Sequence, residues 1–88
     1  NVRGGWRVVN VKTEQLCRIH LTSEPATAGL QVHKDGCAAP ISRIEAWTFD
    51  NGDVVLHGGG GDVILRLAGD RNHLAGSSAK GDRFDLTR

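Results

Sequence analysis

The sequence carries no excess of charge of either sign: eleven Lys and Arg stand against ten Asp and Glu, for a net charge of +1. A nucleic-acid module usually concentrates basic residues on one face, and no such surplus is available here. Long hydrophobic runs are missing as well. Val63-Ile64-Leu65 is as long as they become, far short of the about 20 apolar residues that cross a bilayer as a helix. Proline occurs twice and cysteine twice. The Gly-x-Ser-x-Gly elbow, the Walker loop, the Gly-x-Gly-x-x-Gly fingerprint and the Cys-x-x-Cys redox pair are all absent. The chain opens at Asn1, so a signal peptide or lipid anchor is expected only ahead of the given residues. With 39% hydrophobic and 24% charged residues the composition is that of an ordinary globular domain.

At 88 residues there is room for one small domain. A chain of this size buries only about 60–65% of its unfolded surface, which leaves the core marginal unless something reinforces it. Cys17 and Cys37 are the candidates for that reinforcement. One alternative is a pair of buried free thiols in a reducing compartment. The other is a bridge, favoured by the small size and by too few companion ligands for a metal site. A bridge would close a loop of about 21 residues, worth roughly 3 kcal/mol in the chain-entropy account, and would place the protein in an oxidising compartment.

What the sequence has in abundance is period-two alternation. Trp6 and Val8, Ile19 and Leu21, Leu30 and Val32, Val54 and Leu56, Val63, Leu65 and Leu67, and Phe84 and Leu86 each alternate with more polar neighbours. Each run ends in turn residues, the signature of short strands. Asp50-Asn51-Gly52-Asp53 between two such runs is the strongest hairpin signal. Residues 58–61, 69–72 and 76–82 supply further turns, and residues 23–29 and 35–42 longer connections. About eight strands at roughly 10-residue spacing fit an antiparallel meander that closes into an up-and-down barrel. The one helical piece expected is a turn around residues 40–45. The inward set is expected to be Trp6, Val8, Ile19, Leu21, Leu30, Val32, Trp47 or Ala46, Val54, Leu56, Val63, Leu65, Leu67, Leu74, Phe84 and Leu86, with Trp6, Trp47 and Phe84 its largest members. That volume fills a small barrel and leaves little room for a ligand.

No group of residues reads as catalytic. Ser77-Ser78-Ala79-Lys80 matches Ser-x-x-Lys formally, but it lies in a Gly/Ser-rich turn without the helix and partner motifs that chemistry requires. The four glycines at 58–61 lack the Lys-Ser/Thr pair of a phosphate loop. His20, His33, His57 and His73 are expected to be solvated surface residues. A His20–His33 pair across adjacent strands would hold a metal only weakly. Neither a catalytic residue, a metal nor a cofactor is expected.

The order of features carries a resemblance. Gly5-Trp6-Arg7-Val8 opens the chain, and Leu16-Cys17-Arg18-Ile19 follows. Gly36-Cys37-Ala38-Ala39-Pro40-Ile41 comes next, then Glu45-Ala46-Trp47, Val54-Val55-Leu56 and a Gly-rich turn into Asp62-Val63-Ile64-Leu65. Phe84-Asp85-Leu86-Thr87-Arg88 closes the series. From Gly5 to Arg88 this resembles the bacterial Inh-type (alkaline metalloprotease) inhibitors and the inhibitor-like domain of related outer-membrane lipoproteins.

The resemblance implies an eight-stranded barrel with one disulfide, Cys17 to Cys37. It implies a monomeric, non-enzymatic inhibitor, periplasmic or anchored to the outer membrane through an upstream lipid, whose partner is a secreted or periplasmic protease, foremost a zinc metalloprotease of the serralysin group. In that family an N-terminal trunk enters the protease cleft and its first residue approaches the zinc. Here only Asn1-Val2-Arg3-Gly4 precede the Gly-Trp opening, a shorter stretch than the family's trunk. Residues 1–4 are therefore expected to be the remnant of a trunk or linker, with Asn1, Val2 and Arg3 the protease contacts, and residues 5–88 the barrel domain. The alternative is a non-inhibitory structural or small-ligand-binding barrel of an envelope lipoprotein.

Overall fold

Strand follows strand along the whole chain because each alternating run ends in residues that turn it back. The computed structural model describes residues 1–88. It contains β1 (Gly4–Asn10), β2 (Leu16–Ala26), β3 (Gly29–Asp35), β4 (Ile44–Asp50), β5 (Asp53–Gly58), β6 (Val63–Gly69), β7 (His73–Ser78) and β8 (Arg83–Thr87). Sequential strands pair antiparallel, and β8 returns to β1 to close the barrel. Closure puts Val8 opposite Cys17 on one side and Leu86 on the other, and leaves no open sheet edge for another chain to extend. The all-β, eight-stranded architecture is the expected one. So is the single helical piece, a 3₁₀ turn at Ile41–Arg43.

The hairpin between β4 and β5 turns at Asn51 and Gly52, with φ of 50° and 84°. Both central residues therefore lie in the left-handed region that a two-residue hairpin demands. Other boundaries move. Residues 23–29 are not a long connection, since β2 continues through Pro25 to Ala26. A register shift between Leu21 and Pro25 accommodates the proline, the kind of bulge where a residue without an N–H is tolerated. Ser77 and Ser78 belong to β7 rather than to the turn that follows it.

Eighteen hydrophobic residues are buried, and no polar or charged residue is. Sixteen of them form one cluster that fills the barrel. Trp6, Trp47 and Phe84 lie inside it with 0%, 5% and 3% of their surface exposed. The two tryptophans satisfy their indole N–H groups in the same way: Trp6 Nε1 donates to Val2 O and Trp47 Nε1 to Thr22 O, each at 2.8 Å. Ala46 and Trp47 are both buried, although the sequence offered them as alternatives, and Ile41, Ile44, Val55 and Ile64 join the buried set.

Val63 is the clear correction to the expected core. It is 54% exposed, and Ile64 is buried in its place. His57 pairs with Val63 while Leu56 pairs with Leu65. Ile64 is thus an extra residue on β6, and such a bulge breaks the strict alternation that would have turned Val63 inward.

One seam is short. Strands β3 and β4 share only two register pairs, Leu30 with Trp47 and Gln31 with Ala46. Beyond them the Lys34 ammonium spans the gap, donating to Ser42 O at 3.1 Å and to the Glu45 carboxylate at 2.7 Å. The chain between β3 and β4 is held by the Cys17–Cys37 disulfide, which ties it to the start of β2.

Candidate functional site

The candidate residues Asn1, Val2 and Arg3 lie where the chain enters the barrel. Their neighbourhood is built from both termini. Because β8 pairs with β1, the last residue, Arg88, is brought beside the first strand although 82 positions separate it from Trp6 in sequence. Its guanidinium carbon lies 4.0 Å from the centre of the Trp6 ring, stacked on its face. Arg88 Nε donates to Arg71 O in the turn between β6 and β7 at 2.7 Å. The fork of the same guanidinium reaches the entering chain: Nη2 donates to Asn1 O at 2.9 Å, and Nη1 to Arg3 O at 2.8 Å, with a longer contact to Gly5 O at 3.4 Å.

Trp6 Nε1 takes the carbonyl that Arg88 leaves, that of Val2. The carbonyls of residues 1, 2, 3 and 5 are therefore all engaged by one cation and one indole. Charge-assisted bonds from a planar fork and cation–π stacking are what arginine supplies and lysine does not. Val2 packs its side chain against the core cluster, and the Arg3 N–H donates to Asn1 Oδ1 at 3.0 Å. Asn1 and Arg3 remain exposed while Val2 is half-buried. Gly4 makes the geometry possible. Its φ of +106° is disfavoured for any side chain, and a Cβ there would lie 3.1 Å from Arg88 Nη1.

Nothing in the sequence reading pointed to Arg88, which stood there only as the end of the closing strand. The available signal was the barrel itself, since closure obliges the end of β8 to lie beside the start of β1.

The remaining candidates separate into smaller roles. His20 and His33 face each other across β2 and β3, both exposed, with Glu24 3.8 Å from His33. No group of three or more His, Cys, Asp or Glu comes together as a metal site would require. His57 is not simply solvated. Its Nδ1 lies 3.1 Å from Gly61 O and its Nε2 2.8 Å from Thr48 Oγ1. Since the carbonyl can only accept, the neutral ring carries its proton on Nδ1 and takes the threonine hydroxyl proton on Nε2, latching the Gly-rich turn to β4. Ser78, the last residue of β7, accepts the Asp82 N–H on its Oγ at 3.2 Å, so its hydroxyl fastens the turn into β8.

Two charged groups depart from their ordinary titration. Arg66 lies between Asp50 and Asp53, at 3.0 and 2.9 Å, and their hydrogen bonds raise its pKa. Asp70 accepts the backbone N–H groups of Asn72 and His73, which hold its carboxyl below the usual range. Arg66 stands in β6 and Asp70 in the turn that follows it, and neither is bonded to the N-terminal segment. At the far end of β1 an apolar hollow of about 180 Å³, lined among others by Val8, Leu16, Cys17, Ile41 and Phe84, opens beside the disulfide.

The protease-inhibitor family Inh matches the chain over residues 1–88. The chain belongs to the Inh family. That is a family of protease inhibitors rather than of enzymes, and the partner it implies is a protease. Among solved structures, that of a psychrophilic marine protease MP inhibitor superposes with a TM-score of 0.71 at 18% sequence identity, covering 99% of this chain and 94% of that one. At that identity the likeness speaks for the barrel. No curated protein matches the chain in sequence.

Proposed function

We propose that this Inh-family protein inhibits a secreted or periplasmic zinc metalloprotease by offering its N-terminal segment, Asn1, Val2 and Arg3, to the active-site cleft, and that it does so as a monomer in the bacterial envelope. The observation that carries the reading is the seating of that segment. Residues 1–3 are held by three carbonyl contacts to Arg88 and Trp6, yet Asn1 and Arg3 stay exposed. An inserted peptide is desolvated on most sides and concentrates affinity in few residues, and fixing it beforehand lowers the entropy lost on binding. The barrel supplies the rigid support, with its edges paired and one loop stapled, which leaves a protease few mobile segments to cut. The envelope location rests on the disulfide, since such bonds persist in oxidising compartments, and on family resemblance.

The test is the dissociation constant for a serralysin-type metalloprotease, measured with the protein from Asn1, with a form beginning at Gly5, and with a form carrying whatever its gene encodes ahead of Asn1. The reading expects affinity to be weak or absent in the Gly5 form and to increase as the segment lengthens. Equal inhibition by all three would move the contact to the barrel loops. Absence of binding to metallo-, serine and cysteine proteases alike would overturn the reading.

A further inference from the structure

We infer that Arg88 is a positioning residue for protease binding: anchored on the β6–β7 turn and stacked on Trp6, it fixes the direction in which residues 1–3 leave the barrel. The inference rests on the N-terminal segment being the part that meets the protease, and it names the residue that sets the geometry of that part.

A guanidinium has five N–H groups in a fixed plane. Arg88 uses Nε to bind the carbonyl of Arg71, so its root is on the barrel before its fork reaches the entering chain. The fork then bridges Asn1 O and Arg3 O at 2.9 and 2.8 Å, and the flat face lies on the Trp6 ring. These constraints act together: stacking sets the plane, the Arg71 contact sets the rotation within it, and the two fork contacts set where the chain lies. The exit is turned by Gly4, whose positive φ takes residues 1–3 toward Arg88. Without the fork, only the Trp6–Val2 bond and the packing of Val2 would hold the segment. It would then sample many directions, and the fraction ready to enter a cleft would fall. Apparent affinity falls by that same fraction.

A loss of preorganisation has a kinetic signature. If Arg88 acts through the segment, removing the fork lowers the association rate in proportion to the competent fraction and leaves the dissociation rate nearly unchanged. If Arg88 instead touches the protease, its removal raises the dissociation rate. The experiment compares the parent protein with Arg88→Gln and Arg88→Lys. Backbone ¹⁵N relaxation of Val2 and Arg3 reports segment order, and stopped-flow binding to the zinc metalloprotease reports both rates. Arg88→Lys keeps charge and stem and so preserves the fold should Arg88→Gln not fold.

The expected result is mobile Val2 and Arg3 amides in both variants, a Trp47 environment unchanged, and an association rate about tenfold lower, following the competent fraction, with dissociation as in the parent. Unchanged order at Val2 and Arg3 overturns the inference, as does a faster dissociation at parental association rate. Parental rates in a variant whose segment has become mobile also overturn it, while leaving the inhibitory reading in place. A parent protein that fails to bind the protease at all overturns both, and is recognised as such because the parent itself is inactive.

Discussion

The two ends of β1 are held by opposite means. At the end where β2 begins, a covalent bond between Cys17 and Cys37 fixes the chain that links β3 to β4. At the end where β1 begins, residues 1–3 are held by hydrogen bonds and one stacked cation. The covalent tie removes conformational freedom from the unfolded chain and so stabilises the whole domain. The non-covalent clamp acts mostly on the folded state, ordering one segment whose Asn1 and Arg3 stay exposed. One end therefore serves stability and the other presentation, and substitutions at the two ends should separate along those lines.

The largest effect should come from the residue that belongs to both the core and the clamp. Trp6→Ala removes a fully buried ring and should cost about 3–5 kcal/mol, enough to unfold much of a domain this small. Denaturant unfolding followed through Trp47 fluorescence measures it. Trp47→Ala should cost about as much, but it leaves the clamp intact. A folded Trp47→Ala protein should therefore bind protease as the parent does, whereas a folded Trp6→Ala protein should not.

Next is the disulfide. Replacing both cysteines by serine should lower stability by roughly 3 kcal/mol without weakening protease binding at temperatures where the variant is folded. Alkylation of the native protein without reductant, read by intact mass, should find no free thiol. Loss of binding in a folded double-serine variant would erase the division between the two ends.

Arg88→Gln should act in the reverse sense. It should cost only about 1 kcal/mol in stability, as an exposed cation–π contact and a few surface hydrogen bonds are worth, while its effect on binding exceeds that of the disulfide. A variant that melts far below the parent would make Arg88 a structural tie like Cys17–Cys37.

The smallest effect expected is at Asp70, close to the clamp through the same turn as Arg71. Its pKa is held down in the folded protein by the N–H groups of Asn72 and His73. A depressed carboxyl contributes stability that is present above its unfolded value and is lost as pH falls through the folded value. The melting-temperature gap between the parent and Asp70→Ala should therefore be widest near neutral pH and close as the pH drops below the ordinary carboxylate value of 3.8. A gap that stays constant into acid would show that the turn does not depend on the ionised form.

The barrel was legible in the sequence because its determinants are local. Alternation sets each strand, Asn51-Gly52 sets a hairpin, and a meander needs only neighbours in sequence to pair. What escaped was whatever depends on register or closure. The Ile64 bulge reverses the facing of Val63, and no local pattern marks which of three consecutive apolar residues will be the extra one. Pro25 read as part of a connection because the bulge that admits it lies in the pairing with β3. The Arg88 clamp joins the two termini and needs the barrel to close before its partners exist. The three segment residues Asn1, Val2 and Arg3 were singled out through resemblance, and their seating against Trp6 came only with the fold.

Inhibition through Asn1, Val2 and Arg3 requires that this segment occupy the active-site cleft. The direct measurement is competition between the protein and a small zinc-chelating hydroxamate for a serralysin-type metalloprotease. Mutually exclusive binding, with the apparent dissociation constant of the protein rising linearly with hydroxamate concentration, is the predicted result. A ternary complex in which protein and hydroxamate bind together, each at its own unaltered affinity, would contradict it.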